Sequence, residues 1–227
     1  WPTDYDGRPF HSVQVNGNEI LTLVAEDSDG NEESDYQLFS FPYEIPNALD
    51  RILVTMDQAG YPDFNKKYWR LFAYNGGYEE ITDRSYYMSM GEAFFFIWNK
   101  DKISEPPLFD FGQGHPSTVT DRPFEIFLQP SEWKFFGIPY DFEVPMNQVY
   151  TENGEGIDEV GSVYEWNGGW SRLIGNDNLN SWVGYIVKTS SANKILIDGR
   201  GWDFWMDTEQ KPILADMPLQ SDEWTID

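Results

Sequence analysis

The sequence predicts an all-β protein: two tandem antiparallel β-sandwich or barrel-like repeats, each with at most one short helix. Three observations carry this. Four landmarks recur in the same order along the chain, and an Asn-Gly pair sits between strand-like runs in each copy. In addition, 14 Pro and 19 Gly interrupt the chain too often for long helices.

The first landmark, Tyr36-Gln37-Leu38-Phe39-Ser40-Phe41-Pro42-Tyr43-Glu44, is echoed by Trp133-Lys134-Phe135-Phe136-Gly137-Ile138-Pro139-Tyr140-Asp141. Tyr74-Asn75-Gly76-Gly77-Tyr78 is answered by Trp166-Asn167-Gly168-Gly169-Trp170, and Ala93-Phe94-Phe95-Phe96 by Gly184-Tyr185-Ile186-Val187. Leu108-Phe109-Asp110-Phe111-Gly112 parallels Ile195-Leu196-Ile197-Asp198-Gly199. Pro42 and Pro139 stand 97 residues apart, Asn75 and Asn167 92, Ala93 and Gly184 91, and Gly112 and Gly199 87. The drift falls between landmarks, where loops tolerate insertions.

Three segments follow. Residues 1–35 hold two alternating runs around Asn16-Gly17, His11 to Val15 and Glu19 to Ala25, which read as a hairpin ending an upstream module or joining the first sheet. Residues 36–130 form the first repeat, with a helix expected within 46–59 and a hairpin at Asn75-Gly76. Its run Ala93–Trp98 is apolar enough for burial on both faces. Residues 131–227 form the second repeat, with a helix expected within 144–150, a hairpin at Asn167-Gly168 and a closing segment over 202–227. Asn-Gly supplies the positive φ values of tight hairpins, and the extra Gly in each copy predicts a longer loop with a bulge.

Aromatic residues make up 17% of the chain and Cys is absent, so a packed core is expected without disulfides or thiolate chemistry. Fifteen Lys and Arg against 39 Asp and Glu leave a net charge of −24, which repels nucleic-acid phosphates and anionic lipid. Divalent cations and neutral glycans remain natural partners. No apolar run is long enough for a membrane-spanning helix. The chain starts at Trp1 with neither Met nor a signal peptide, which reads either as trimming or, preferably, as a piece of a longer exported chain.

The order aromatic-x-Leu/Phe-Phe-x-Phe/Ile-Pro, then an Asn-Gly hairpin with aromatic shoulders, then Gly-Tyr-Ile-Val, resembles a tandem β-repeat module of large secreted bacterial cell-surface proteins. Such chains often carry immunoglobulin-like modules and a C-terminal sorting signal, and the stretch Ala25 to Ser34 resembles the exit of such a neighbouring domain. The resemblance spans about residues 36–200. It departs at Ala93, where the pattern has Gly, so a different backbone turn is expected there. It implies an extracellular scaffolding, adhesion or binding role and supplies no catalytic residue.

Among polar clusters, Asp27, Asp29, Asn31, Glu33 and Asp35 alternate oxygen ligands around Gly30 in a manner that suits Ca²⁺. The EF-hand order is not met, and the competing reading is a solvated acidic turn. Asp198, Asp203 and Asp207 form a second acidic group. Tyr74, Tyr78, Trp166 and Trp170 flank the hairpin loops, where flat rings could stack on sugars; the competing reading is cross-strand packing. Trp133, Trp182, Trp202 and Trp205 read as core or interdomain filler. Only His11 and His115 are available as catalytic bases, neither in a recognisable motif.

The sequence therefore leads to a non-catalytic structural, assembly or adhesion module, located outside the cell, that self-associates or binds other surface proteins. A carbohydrate-binding module is the alternative, and a glycoside hydrolase fragment the second alternative.

Overall fold

The computed structural model describes residues 19–22, 35–99, 102–103, 107–112, 114–116 and 123–199, of which 19–22, 35–36 and 116 are described through their backbone alone. These residues form an all-β fold. In chain order the strands are β1 (Glu19–Thr22), β2 (Asp35–Ser40), β3 (Tyr43–Glu44), β4 (Trp69–Tyr74), β5 (Tyr78–Glu80), β6 (Ala93–Trp98), β7 (Leu108–Gly112), β8 (His115–Pro116) and β9 (Phe124–Phe127). Then follow β10 (Trp133–Gly137), β11 (Val144–Pro145), β12 (Val149–Thr151), β13 (Gly161–Trp166), β14 (Trp170–Leu173), β15 (Asn178–Leu179), β16 (Gly184–Thr189) and β17 (Lys194–Ile197). The helices are α1 (Ala48–Gln58) and the single turn α2 (Ile157–Val160).

Two antiparallel four-stranded sheets dominate, β2-β6-β4-β5 and β10-β16-β13-β14. Both have one strand order: the first strand pairs with the fourth, which pairs with the second, which pairs with the third. Each sheet is buried on both faces, and strand alternation sorts its side chains between two cores. From the first sheet, Phe39, Trp69, Leu71, Phe94, Phe96 and Trp98 point into a core completed by α1 and β7. From the second, Phe136, Val163, Tyr185 and Val187 point into a core completed by Ile126, Val149, Ile195 and Ile197 of the three-stranded sheet β12-β17-β9. The opposite faces meet over a third core of Leu38, Ala93, Phe95, Phe135 and Ile186. The doubly buried reading of Ala93–Trp98 follows from this layering, since β6 lies between the first core and the third.

Helix α1 forms where expected. Ala48, Leu49, Ile52, Leu53 and Met56 are buried at the spacing of one helical face, and Gly60 at φ +86 follows its end. The expected helix at 144–150 does not form. Val144 and Pro145 pair with Leu179 and Asn178, a 3-10 turn covers Met146–Gln148, and Val149 begins β12 against Ile197. Pro145 lacks an N–H and the β-branched Val144 and Val149 favour extended backbone, so pairing wins. The second half's helix is instead α2, immediately before β13.

Strands ahead of each four-stranded sheet pair with the strand that follows it: β1 with β7, and β9 with β17. The expected N-terminal strand is present over Glu19–Thr22 within this pairing, and its partner run at 11–15 lies outside the described residues. Phe124–Phe127 falls within the 36–130 span read from the sequence, yet its hydrogen bonds go to the second half.

The two halves touch through backbone. Ser40 N–H donates to the Trp182 carbonyl at 3.0 Å, and Gly137 N–H donates to the Gly91 carbonyl at 3.0 Å. These are corresponding positions of the landmark alignment, so each half gives and receives the same bond. Close approach is possible because the crossing residues are small. A Cβ on Gly137 would lie 2.0 Å from Ser40 Cβ, and one on Gly184 would lie 2.9 Å from Ala93 Cβ. Ala93 is thus a strand residue like Gly184, and the expected difference in turn is absent; small size at that position serves sheet approach.

The lock is not symmetric in its side chains. Gly91, at φ +80, carries the Phe124 ring against its backbone. Trp182 holds the matching position at φ +67 and sends its indole into the first core. There it stacks on Phe111 (5.9 Å, 19°) and meets Phe41 and Tyr43 edge-on.

Candidate functional site

Each hairpin closes with a three-residue loop. Asn75 N–H donates to the Gly77 carbonyl at 3.0 Å with Gly76 at φ +72, and Asn167 N–H donates to the Gly169 carbonyl at 3.1 Å with Gly168 at φ +83. The loops bring Tyr74 opposite Tyr78 and Trp166 opposite Trp170. Their rings pack edge to face at 5.3 Å and 5.1 Å, an aromatic pairing that stabilises each hairpin.

The hairpins do not project separately into solvent. Facing sheets bring them together around Phe95 and Phe135. Tyr74 lies 4.9 Å from Phe135, while Trp166 meets Phe95 edge-on at 5.4 Å. Tyr78 and Trp170 each approach both phenylalanines. Where the sheets diverge, an open cleft of about 340 Å³ remains, lined by Tyr74, Tyr78, Trp133, Tyr164, Trp170 and Ile186. Tyr78 and Trp170 are its exposed members, at 62% and 40%.

Cross-strand register explains the lining. Tyr164 pairs with Ile186, and Ile186 with Phe135, so these three form one row across the second sheet. Trp133 pairs with Lys188 in a neighbouring row, and the Lys188 ammonium lies 5.5 Å above the Trp133 ring. In sequence Trp133 reads as filler, and Tyr164 and Ile186 read only as strand residues. The available signal was two-residue periodicity, which puts Tyr164 on the same face of β13 as Trp166. Of the four rings singled out from the sequence, Tyr74, Tyr78 and Trp170 line the cleft, and Trp166 packs behind it.

A polar cavity of about 270 Å³ lies beyond the Tyr74–Phe135 contact and includes Asn75, Glu79, Tyr86, Glu92 and Lys134. Burial pushes the Tyr86 hydroxyl up to about 12, with the Glu92 and Glu79 charges adding to the shift. Tyr78 is also raised, first by desolvation and then by Tyr74. Both phenols stay protonated near neutral pH and so remain hydrogen-bond donors. The cleft offers flat ring faces edged by hydroxyl and indole N–H groups, which suits holding a ligand with apolar faces and a polar rim.

Asp27, Asp29, Asn31 and Glu33 of the acidic loop lie outside the described residues, and Asp35 enters only through its backbone opposite Trp98. Asp198 is buried at the end of β17, while Asp203 and Asp207 lie outside the description, as do His11, Trp202 and Trp205. His115 is exposed in β8, paired through its backbone with Glu44. Among the described residues, no group of three or more His, Cys, Asp or Glu is placed to hold a metal ion, and no helix is long and apolar enough to cross a membrane. Comparison with protein-family models, curated proteins and solved structures finds no match to this chain.

Proposed function

We propose that the chain is a non-catalytic structural module of an extracellular or cell-surface protein, built from two copies of one β-unit and acting in assembly or adhesion. The observation that carries this reading is the reciprocal backbone lock, Ser40 to Trp182 and Gly137 to Gly91. With it, two units sharing one strand order become a single body rather than beads on a linker. Strand β9 supplies a docking feature. It ends its sheet among the described residues, and Phe127 on it is 71% exposed, an arrangement suited to pairing with another chain. Sedimentation over a range of concentrations tests this: association weakened by Phe127→Lys is expected, and a monomer at every concentration, with and without Ca²⁺, refutes assembly. Calcium belongs to the same reading through residues 27–35. Millimolar Ca²⁺ is expected to raise Tm by several degrees, reversed by chelator, and an unchanged Tm removes calcium from the proposal.

A second reading, carbohydrate binding, is favoured by the convergence of Tyr74, Tyr78 and Trp170 on one cleft. Titration with a panel of neutral oligosaccharides should give saturable binding that Trp170→Ala weakens. No binding across the panel, or undiminished binding by the variant, refutes it.

A further inference from the structure

The aromatic cleft adjoins a second opening across the Trp133–Tyr164 pair, whose rings pack edge-on at 5.7 Å. A groove of about 500 Å³ runs over the same sheet, shares Trp133 and Tyr164 with the cleft, and is lined beyond them by Ser131, Glu159, Ser162, Lys188 and Ser190. We propose that cleft and groove form one track that binds an extended, neutral oligosaccharide of several sugar units; this rests on the carbohydrate reading and adds the ligand's length, charge and direction.

The sheet fixes the track's dimensions. Trp170 on β14 lies in the row of Trp166, and Tyr164 and Ser162 follow at successive same-face positions of β13; each step advances about 7 Å, so the track runs about 14 Å along the strand direction. That exceeds a single sugar and matches a chain lying across the strands' rows. Its two ends differ in chemistry. Tyr78 and Trp170 present ring faces at one end, where the C–H faces of sugars can stack. At the other end, serine hydroxyls, the Lys188 ammonium and the Glu159 carboxylate supply donors and acceptors for a polyhydroxylated ligand. Trp133 lines both openings, and the Lys188 ammonium lies over its ring.

Charge selects against an acidic polymer. With a net charge of −24 the molecule repels uronic-acid and sulfated chains at long range, and Glu159 opposes Lys188 within the groove itself. A proline-rich peptide also packs on aromatic ridges, but it has few groups to pair with the hydroxyl and ionic end. The density of donors and acceptors there favours the glycan.

The test is calorimetric titration of the intact chain with neutral gluco- and manno-oligosaccharides from mono- to hexasaccharide, in parallel with a proline-rich peptide. Affinity is expected to rise about tenfold or more from disaccharide to hexasaccharide as the polar end is reached. Trp133→Ala should weaken every ligand. Lys188→Ala with Ser162→Ala should weaken the hexasaccharide about tenfold and the disaccharide far less. Unchanged near-ultraviolet circular dichroism certifies that each variant is folded, and Val54→Ala, at an exposed position of α1 that lines neither opening, serves as the control. Equal affinity for short and long chains overturns the track while leaving carbohydrate binding in the cleft. No sugar binding, or binding of the peptide alone, overturns both.

Discussion

Gly137→Ala adds one methyl group where the two halves cross, and its cost can be worked from the geometry. The new Cβ would lie 2.0 Å from Ser40 Cβ and 2.1 Å from Ser40 Oγ, far inside the contact distance of carbon atoms. Ser40 is fully buried and its hydroxyl donates to the Val183 carbonyl at 2.8 Å, so it cannot swing aside without losing that bond. The sheets must therefore separate locally. Overpacking of this kind costs about 1–3 kcal/mol, and weakening the Ser40 and Gly137 hydrogen bonds adds about 1 kcal/mol. A total near 3 kcal/mol corresponds to a fall in Tm of about 10 °C for a chain of this size. Ser40→Gly alone should cost about 1 kcal/mol, from the lost hydroxyl bond. In combination it should be stabilising: with Ser40 reduced to glycine, the nearest remaining atom is the residue 40 Cα, at an ordinary 3.5 Å. The double variant should recover about 2 kcal/mol relative to Gly137→Ala, a coupling visible in urea denaturation of the four proteins. Additive losses, or a Gly137→Ala protein as stable as the parent, would refute the close crossing of the sheets.

Trp182→Ala should lose about 3 kcal/mol, because the indole fills the first core against Phe111, Phe41 and Tyr43. Trp182→Gly should be less damaging by about 1 kcal/mol, since only glycine holds φ +67 without strain; equal losses in thermal denaturation would contradict this. The Arg70 hydrogen bonds, with Lys66 alongside, hold the Glu80 carboxyl down to about 2. A depressed folded-state value stabilises above about pH 4.5 and loses that contribution as pH falls toward 2. Glu80→Gln should thus cost about 1 kcal/mol at pH 7, after allowance for solvent screening, and nothing near pH 2. A pH-independent difference would show that the ion pair contributes nothing. Tyr185→Phe leaves the Asn180 N–H without the hydroxyl it donates to at 2.6 Å, and a loss of about 1 kcal/mol in denaturant is expected; no loss means that solvent replaces the bond.

Local chemistry made much of the fold legible. Asn-Gly with aromatic shoulders defined both hairpins, helical spacing defined α1, and the unbroken apolar run marked β6 as buried on two sides. Residues 144–150 misled because a short apolar pattern with Val and Pro fits a helix turn and a paired strand equally, and the choice is made by Leu179 and Ile197, distant in sequence. The cleft was half legible. Aromatic types at the hairpin shoulders were visible, but their convergence depends on how two sheets face each other, which rests on Ser40, Ala93, Gly137 and Gly184. In sequence those four stand only as positions within the landmarks, with no role of their own. Their small size gains its meaning only from the partner sheet.

Trp182 also imposes an order on biosynthesis. Among the described residues, the core that it fills is otherwise complete by Phe111, 71 residues earlier in the chain. As the polypeptide emerges from the ribosome, the N-terminal half reaches full length with an indole-sized gap still open against Phe111. That gap closes only after most of the second half has followed. The leading half is thus least stable while its successor is being made, and its core closes only when the second half has folded against it.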